Sequence, residues 1–164
     1  MQLSRASQFA LRAALDLAVH GPGRTAEIAR RRGIPPAAAA KVVQALVRGG
    51  VVRTARGAGG GVRLARAPGE ITLRDVVESV EGPTAVARCL VWDDCPCVQP
   101  CPVRLALARL QTEMDALLAR TTLADLAADA RRLEEARSAG AVVDRHGDRR
   151  TPHTAVRTAE SPGR

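Results

Sequence analysis

The chain has 164 residues, a formal net charge of +8, one Trp, one Phe and no Tyr. That length allows one compact domain, or a small domain with an oligomerisation arm, and no stretch approaches the roughly 20 apolar residues that span a bilayer. Residues 1–66 carry twelve Lys/Arg against two Asp/Glu, residues 67–137 carry eight against twelve, and residues 138–164 carry five against three. The first part should therefore attract a polyanion and the middle should not. Arg5, Arg12 and Asp16 interrupt any apolar run at the start, so no secretory leader is read and a cytoplasmic protein with reduced thiols is expected.

Ser4 can cap a first helix over about 5–20, along which Phe9, Ala10, Ala13, Ala14, Leu17 and Ala18 recur at helical spacing, and Gly21-Pro22-Gly23 ends it. Thr25 is expected to cap a short second helix that stops at Gly33. Pro35-Pro36 then opens a third helix to about Arg48, with Val42, Val43, Leu46 and Val47 as its apolar face. Helix, tight glycine turn and helix in a basic surround is a helix-turn-helix pattern. Two β-branched runs, 51–54 and 62–64, enclose Arg56-Gly57-Ala58-Gly59-Gly60-Gly61 and predict a hairpin wing. The glycine loop leads into a strand and lacks a Lys-Ser/Thr, which argues against a nucleotide site.

Thr72 with Asp75 three residues on begins a fourth helix to about Val80, closed by Gly82-Pro83. Pro102 starts a long helix in which Val103, Leu107, Leu110, Met114 and Leu117 are spaced 4-3-4-3. That spacing suits either a seam with a second copy or an ordinary core helix. Thr122 with Asp125 caps a last helix to about Arg137, and residues 138–164 have the composition of a disordered tail. The expected architecture is mainly α with a small β-hairpin wing. A winged helix-turn-helix occupies 1–82, a cysteine loop 83–101, a dimerisation helix and C-terminal helix 102–137, and the tail 138–164.

All four cysteines lie within thirteen residues: Cys89, Cys95, Cys97 and Cys101, the first, second and fourth forming a C-x5-C-x5-C set. Soft thiolates concentrated in one loop suit iron–sulfur irons, and Pro96, Pro100 and Asp93-Asp94 let the loop turn around a cluster without being helix or strand. A zinc site, or thiol redox chemistry without metal, would use the same residues, although zinc ligands usually come as C-x2–4-C knuckles. Trp92 beside the loop shields it or simply packs. His20 reads as a surface or capping residue, and His146 and His153 fall in the tail. No Ser-His-Asp, paired-carboxylate or nucleotide constellation is present, so an enzyme is not expected.

The opening MQLSRASQFALRAALDLA, the segment AAKVVQALVRGGVVRTARGAGGGVRLARAPGEITLRDVVESVEG and the cysteine loop resemble the IscR/NsrR-type family of bacterial winged-helix regulators over about residues 1–130. The RGxxGG wing followed by V-x-L-A, and the C-x5-C-x5-C set just before the long helix, are the most specific elements. Ala40-Lys41-Val42-Val43, Cys101-Pro-Val-Arg-Leu-Ala-Leu and Thr122-Leu-Ala-Asp-Leu look most like the nitric-oxide-sensing NsrR branch. The resemblance implies a homodimer crossed through the long helix, a palindromic double-stranded DNA operator, nitric oxide as effector, and one iron–sulfur cluster per subunit, 4Fe–4S favoured over 2Fe–2S. It implies Cys89, Cys95 and Cys101 as ligands. Relatives take a fourth ligand from an aspartate early in the first helix or from a histidine after the third cysteine, and here those positions are Gln8 and Arg104. That leaves Cys97 or Gln8 as the fourth donor. Ala38 and Ala39 stand where relatives have an aromatic and a leucine.

For DNA, Thr25 and the third helix would face the major groove, with Lys41, Gln44 and residues 37–40, Ala37 and Ala38 among them, presented to it. Arg56, with Gly59 and Gly60 of the wing, would reach a minor groove. Arg30, Arg31, Arg32, Arg48 and Arg53 would take phosphates, or the 30–32 run would be a solvated helix end. Two function classes result. One is a cluster-dependent repressor sensing nitric oxide or redox and iron status, with an IscR-like regulator of cluster supply as its variant. The other is a zinc or thiol redox protein whose winged helix contacts other proteins.

Overall fold

The computed structural model describes residues 3–55, 57, 60–91 and 100–139. They form α1 (Arg5–His20), α2 (Thr25–Arg32), α3 (Pro36–Arg48), the strands β1 (Val52–Ala55) and β2 (Gly61–Leu64), α4 (Leu73–Glu81), α5 (Pro102–Arg120) and α6 (Leu123–Ser138), with single 3-10 turns at Pro68–Glu70 and Arg88–Leu90. The mainly helical architecture with one antiparallel hairpin is the winged helix-turn-helix expected from the sequence. The predicted tail lies outside the described residues from 140 onward.

The chain divides into two compact units, residues 1–128 and 129–164. The first contains the wing, the start of the cysteine loop, α5 and the first turns of α6. Its core surrounds α1, which packs on α2, α3, α4 and β2. With almost no aromatics available, the core is assembled from Ala10, Ala13 and Ala14 on α1 against Ile28, Val42, Leu46, Ile71, Val76 and Leu123. Small alanines bring neighbouring helices close, so shape complementarity replaces bulk. α3 meets α4 closely enough that a Cβ on Gly49 would overlap the Cβ of Ser79. The φ of −78° at Gly49 is open to any residue, so the glycine is there for space. Gly49→Ala is expected to destabilise the unit by about 1–3 kcal/mol, read from urea melts, because the two helices must part to admit a methyl.

The helix ends follow their chemistry. Ser4 accepts the Ser7 N–H at 3.1 Å and caps α1. Thr25 is not the cap expected for α2. It is the first helical residue, Arg24 is the N-cap, and the Glu27 carboxylate accepts the Arg24 N–H at 3.0 Å. Gly33 closes α2 in the left-handed conformation, at φ 61°. Thr72 and Thr122 each cap a helix with an aspartate three residues on. The two caps lie side by side: Leu73 N–H donates to the Thr121 carbonyl at 2.9 Å, and Leu123 N–H to that of Ile71 at 2.8 Å. This bridge draws Leu123 and Ala127 of α6 into the first unit's burial.

The hairpin register pairs Val52 with Leu64, Arg53 with Arg63, and Ala55 with Gly61. Its second strand is also tied to the α1–α2 turn, Gly23 and Val62 exchanging two backbone hydrogen bonds at 3.0 and 2.9 Å. A Cβ on Gly61 would lie 2.9 Å from the Gly23 carbonyl oxygen, so this close approach requires a glycine. On α3, Val47 is 39% exposed, unlike the inward position read from spacing, and Ala39 and Ala45 are buried.

Candidate nucleic-acid interface and cysteine loop

The outward face of α3 is formed by Ala37, Ala40, Lys41, Gln44 and Arg48, all exposed and spaced along one side of the helix. Pro36 at the first helical position and the apolar stripe on the opposite side hold that face outward. The expectation that all of residues 37–40 face a ligand is corrected: Ala39 belongs to the core and Ala38 is half-buried against it. Thr25, at the start of α2, is half-buried.

On the hairpin, Arg53 and Arg63 are directly opposed and both exposed. Like charges directly opposed across such a pair repel. Arg63 was missed in the sequence reading, although strand alternation places it on the same face as Arg53 once the register is known. Gly60 donates its N–H to the Gly57 carbonyl at 2.9 Å and turns the wing back. Arg56 and Gly59 lie outside the described residues.

Two of the arginines expected at phosphates are used elsewhere. Arg31 Nε donates to both oxygens of Asp16 at 3.1 and 3.0 Å, its Nη2 to one of them, and Arg32 Nε to the other at 2.9 Å. His20 Nε2 stands 3.8 Å away on the same carboxylate. Asp16 is fully buried, and its hydrogen bond, ahead of its charge, holds the Arg31 guanidinium above the usual arginine range. This network pins the end of α2 to α1. Arg30 is exposed.

The cysteine loop leaves α4 through Gly82. Gln111, midway along α5, clasps its start: the side-chain oxygen accepts the Val86 N–H at 2.8 Å, while the amide nitrogen donates to the Thr84 carbonyl at 3.0 Å and to Asp115 at 2.9 Å. Cys89 sits on the 3-10 turn Arg88–Leu90, a short helical turn where an irregular loop was expected, and this turn packs against α5. Cys101 is the N-cap residue of α5. Both are free thiols, half-buried, one on each side of the loop. Cys95, Cys97 and Trp92 lie outside the described residues. Gln8 is exposed on α1, its amide nitrogen donating to the Leu3 carbonyl at 3.1 Å.

The last residue of α4, Glu81, accepts the Ser4 N–H at 2.9 Å. Its carboxyl is held below the usual range by the Ser7 hydroxyl first and then by Ser4, against the opposing pull of burial. The α4 end that feeds the loop is thus tied to the start of α1.

α5 has no buried residue. Val103, Leu110 and Leu117 are 64%, 56% and 49% exposed. Leu107 and Met114 are half-buried, Met114 lining a cavity with Leu3, Pro83 and Leu118. The 4-3-4-3 series therefore divides into an outward stripe and an inward one. Among the described residues no helix is long and apolar enough to cross a membrane.

Residues 3–129 match the model of the Rrf2 family, described as "Iron-dependent Transcriptional regulator". The chain belongs to the Rrf2 family. Over 130 residues it is 38% identical to Protein aau3 of Rhizobium meliloti (strain 1021), the match covering 77% of this chain and 84% of that protein. It is 34% identical over 132 residues to the HTH-type transcriptional repressor NsrR of Streptomyces coelicolor, covering 78% of this chain and 89% of that one. Among solved structures, CymR (YrzC), the global cysteine regulator of B. subtilis, superposes with a TM-score of 0.66 at 29% identity, covering 78% of this chain and 97% of that one. This Rrf2 protein is accordingly a winged-helix transcriptional regulator and not an enzyme, in agreement with the resemblance read from its motifs.

Proposed function

We propose that this Rrf2 regulator is a homodimeric repressor that binds a palindromic operator and holds an iron–sulfur cluster through Cys89, Cys95 and Cys101, with nitric oxide or iron status as its signal. The observation that carries this reading is the use of α5 by both halves of the device. Cys101 caps the helix, the Cys89 turn packs on it, Gln111 clasps the loop to it, and its outward face is the exposed apolar stripe. A change in how the thiols are held is thereby passed to the helix that would join two reading heads.

The donor set fits such a group. Cys89 and Cys101 are unbonded, half-buried thiols, and thiolates are soft donors suited to iron–sulfur irons. Gln8 is a neutral amide anchored to Leu3, a poor iron ligand, which favours Cys97 as the fourth donor. When bound, a cluster supplies an iron centre that reacts with nitric oxide. The protein's own contribution is to orient the thiolates and to limit solvent around them. For DNA, Gln44 would read base edges with Lys41 beside it at the groove, Arg53 would take a phosphate, and Arg56 of the wing would reach a minor groove.

The test is anaerobic purification of the full chain, with iron and sulfide analysis and a visible spectrum. Cys89→Ser or Cys101→Ser is expected to lose most of the iron and the colour, and Cys97→Ser to lower both. One equivalent of zinc with no sulfide in the wild-type protein would overturn the cluster reading. Unchanged iron content and spectrum in Cys97→Ser would remove Cys97 from the ligand set.

A further inference from the structure

Between α1 and α3 lies a cleft of about 380 Å³ whose floor is apolar and whose rim is basic. Phe9 of α1, Ala38, Val42 and Ala45 of α3 and Val80 of α4 line the floor. Arg5, in the first turn of α1, and Lys41 and Arg48 of α3 stand around it, all three exposed. Arg31 and Arg32 are held by Asp16, Arg66 by Asp75 and Arg74 by Glu78. No such carboxylate serves the three rim cations among the described residues.

We infer that this cleft seats the sugar–phosphate backbone of the operator strand flanking the groove that α3 reads. This rests on the proposed reading of α3 as the recognition helix. Charge complementarity comes first: three cations converge on one depression, and the ligand they suit is a run of phosphates. The floor matters as well, because the carbon face of deoxyribose can pack on Phe9 and the alanines, where a hydrated small ion would gain nothing. Continuity with the reading face is the third argument. Lys41 and Arg48 lie both on the cleft rim and on the outward face of α3 that carries Gln44, so the cleft borders the face a duplex would meet.

Lys41 then becomes a positioning residue on phosphate, and Gln44 is left as the base reader. Arg5, which carried no role in the sequence reading, becomes the α1 contribution to register. Phosphate contacts fix orientation without reading sequence, so this cleft would set the rotation of α3 in its groove.

The test uses the full-length protein, a fluorescent duplex selected by binding from a random pool, and an unselected duplex of equal length. Arg5→Ala with Arg48→Ala should weaken both duplexes alike, by about 10- to 100-fold, and reduce the log–log salt slope by about 3.6, at roughly 0.9 per phosphate with two lost from each subunit of the dimer. Gln44→Ala should instead narrow the ratio between the two duplexes. Ethylation of phosphates flanking the selected site should interfere with the wild-type protein at positions where the double variant has become insensitive. Both arginines are exposed, so an unchanged melting temperature should confirm folding. Unchanged slope and affinity in the double variant, with wild-type binding intact, would overturn the cleft assignment and leave the regulator reading standing. Wild-type protein that prefers no selected duplex would overturn both.

Discussion

Replacing Arg31 and Arg32 together with alanine is expected to destabilise the fold by roughly 3–5 kcal/mol, the cost of leaving a buried charge without its partners. The salt dependence of DNA binding by the folded fraction should hardly change. Asp16 is 0% exposed while the two arginine side chains are 33% and 24% exposed, so the groups that can turn to water are the cations, not the anion. The double change removes every guanidinium from the carboxylate and leaves His20 at 3.8 Å as its nearest cationic group. Asp16→Ala alone should cost less, since both guanidiniums can rehydrate. Adding Asp16→Ala to the double variant should recover part of the lost stability. Urea melts of the four proteins give the comparison, and a triple variant no more stable than the double would contradict the burial argument. If these arginines instead held phosphates, the double change would lower the salt slope by about 3.6, two contacts being lost from each subunit of the dimer, and leave the melts nearly unmoved.

That network also shows where the sequence stopped being legible. Helix ends were readable because each is written within four residues: serine or threonine caps, proline at the first helical position, glycine after the last turn, and the Thr72–Asp75 and Thr122–Asp125 boxes. The α2 cap was misplaced by one residue because Glu27 reaches back to a backbone N–H, which needs no polar side chain at the cap itself. Partners far apart in the chain leave no local mark. Asp16 lies 15 and 16 residues from its arginines, and Gln111 lies 25 and 27 from the backbone it clasps. The same distance effect distorted the charge argument. The net charge of +10 on residues 1–66 counts Arg31 and Arg32 as available, yet both are tied to the buried Asp16, and the exposed cations not held in that way include Arg5, Lys41, Arg48, Arg53 and Arg63. The family motifs were legible because the wing glycines and thiol spacing are each confined to one short loop.

Changing Leu110 and Leu117 together to aspartate should yield a monomer whose operator binding is weaker by about 10²–10⁴-fold, the avidity lost when two linked half-sites become one. Spacing alone left the long helix undecided between an internal core and a seam with a second copy. The structure divides the series, because Leu107 and Met114 are half-buried and Val103, Leu110 and Leu117 are about half exposed or more. A leucine moved from water into an interface contributes about 1.5–3 kcal/mol, and a carboxylate in its place must be desolvated without a partner. Two such changes per subunit act four times across a symmetric dimer. Met114 is the wrong site for this test: it lines the cavity beneath α5, and a charge there would disturb the subunit itself. Leu110 and Leu117 are 56% and 49% exposed, so the variant should largely keep its melting transition and, if the thiols are served within one subunit, its iron as well. Sedimentation equilibrium of wild type and variant decides the matter, with a wild-type monomer at micromolar concentration counting against the dimer. A dimeric variant with intact operator binding would move the interface off this face of α5 altogether.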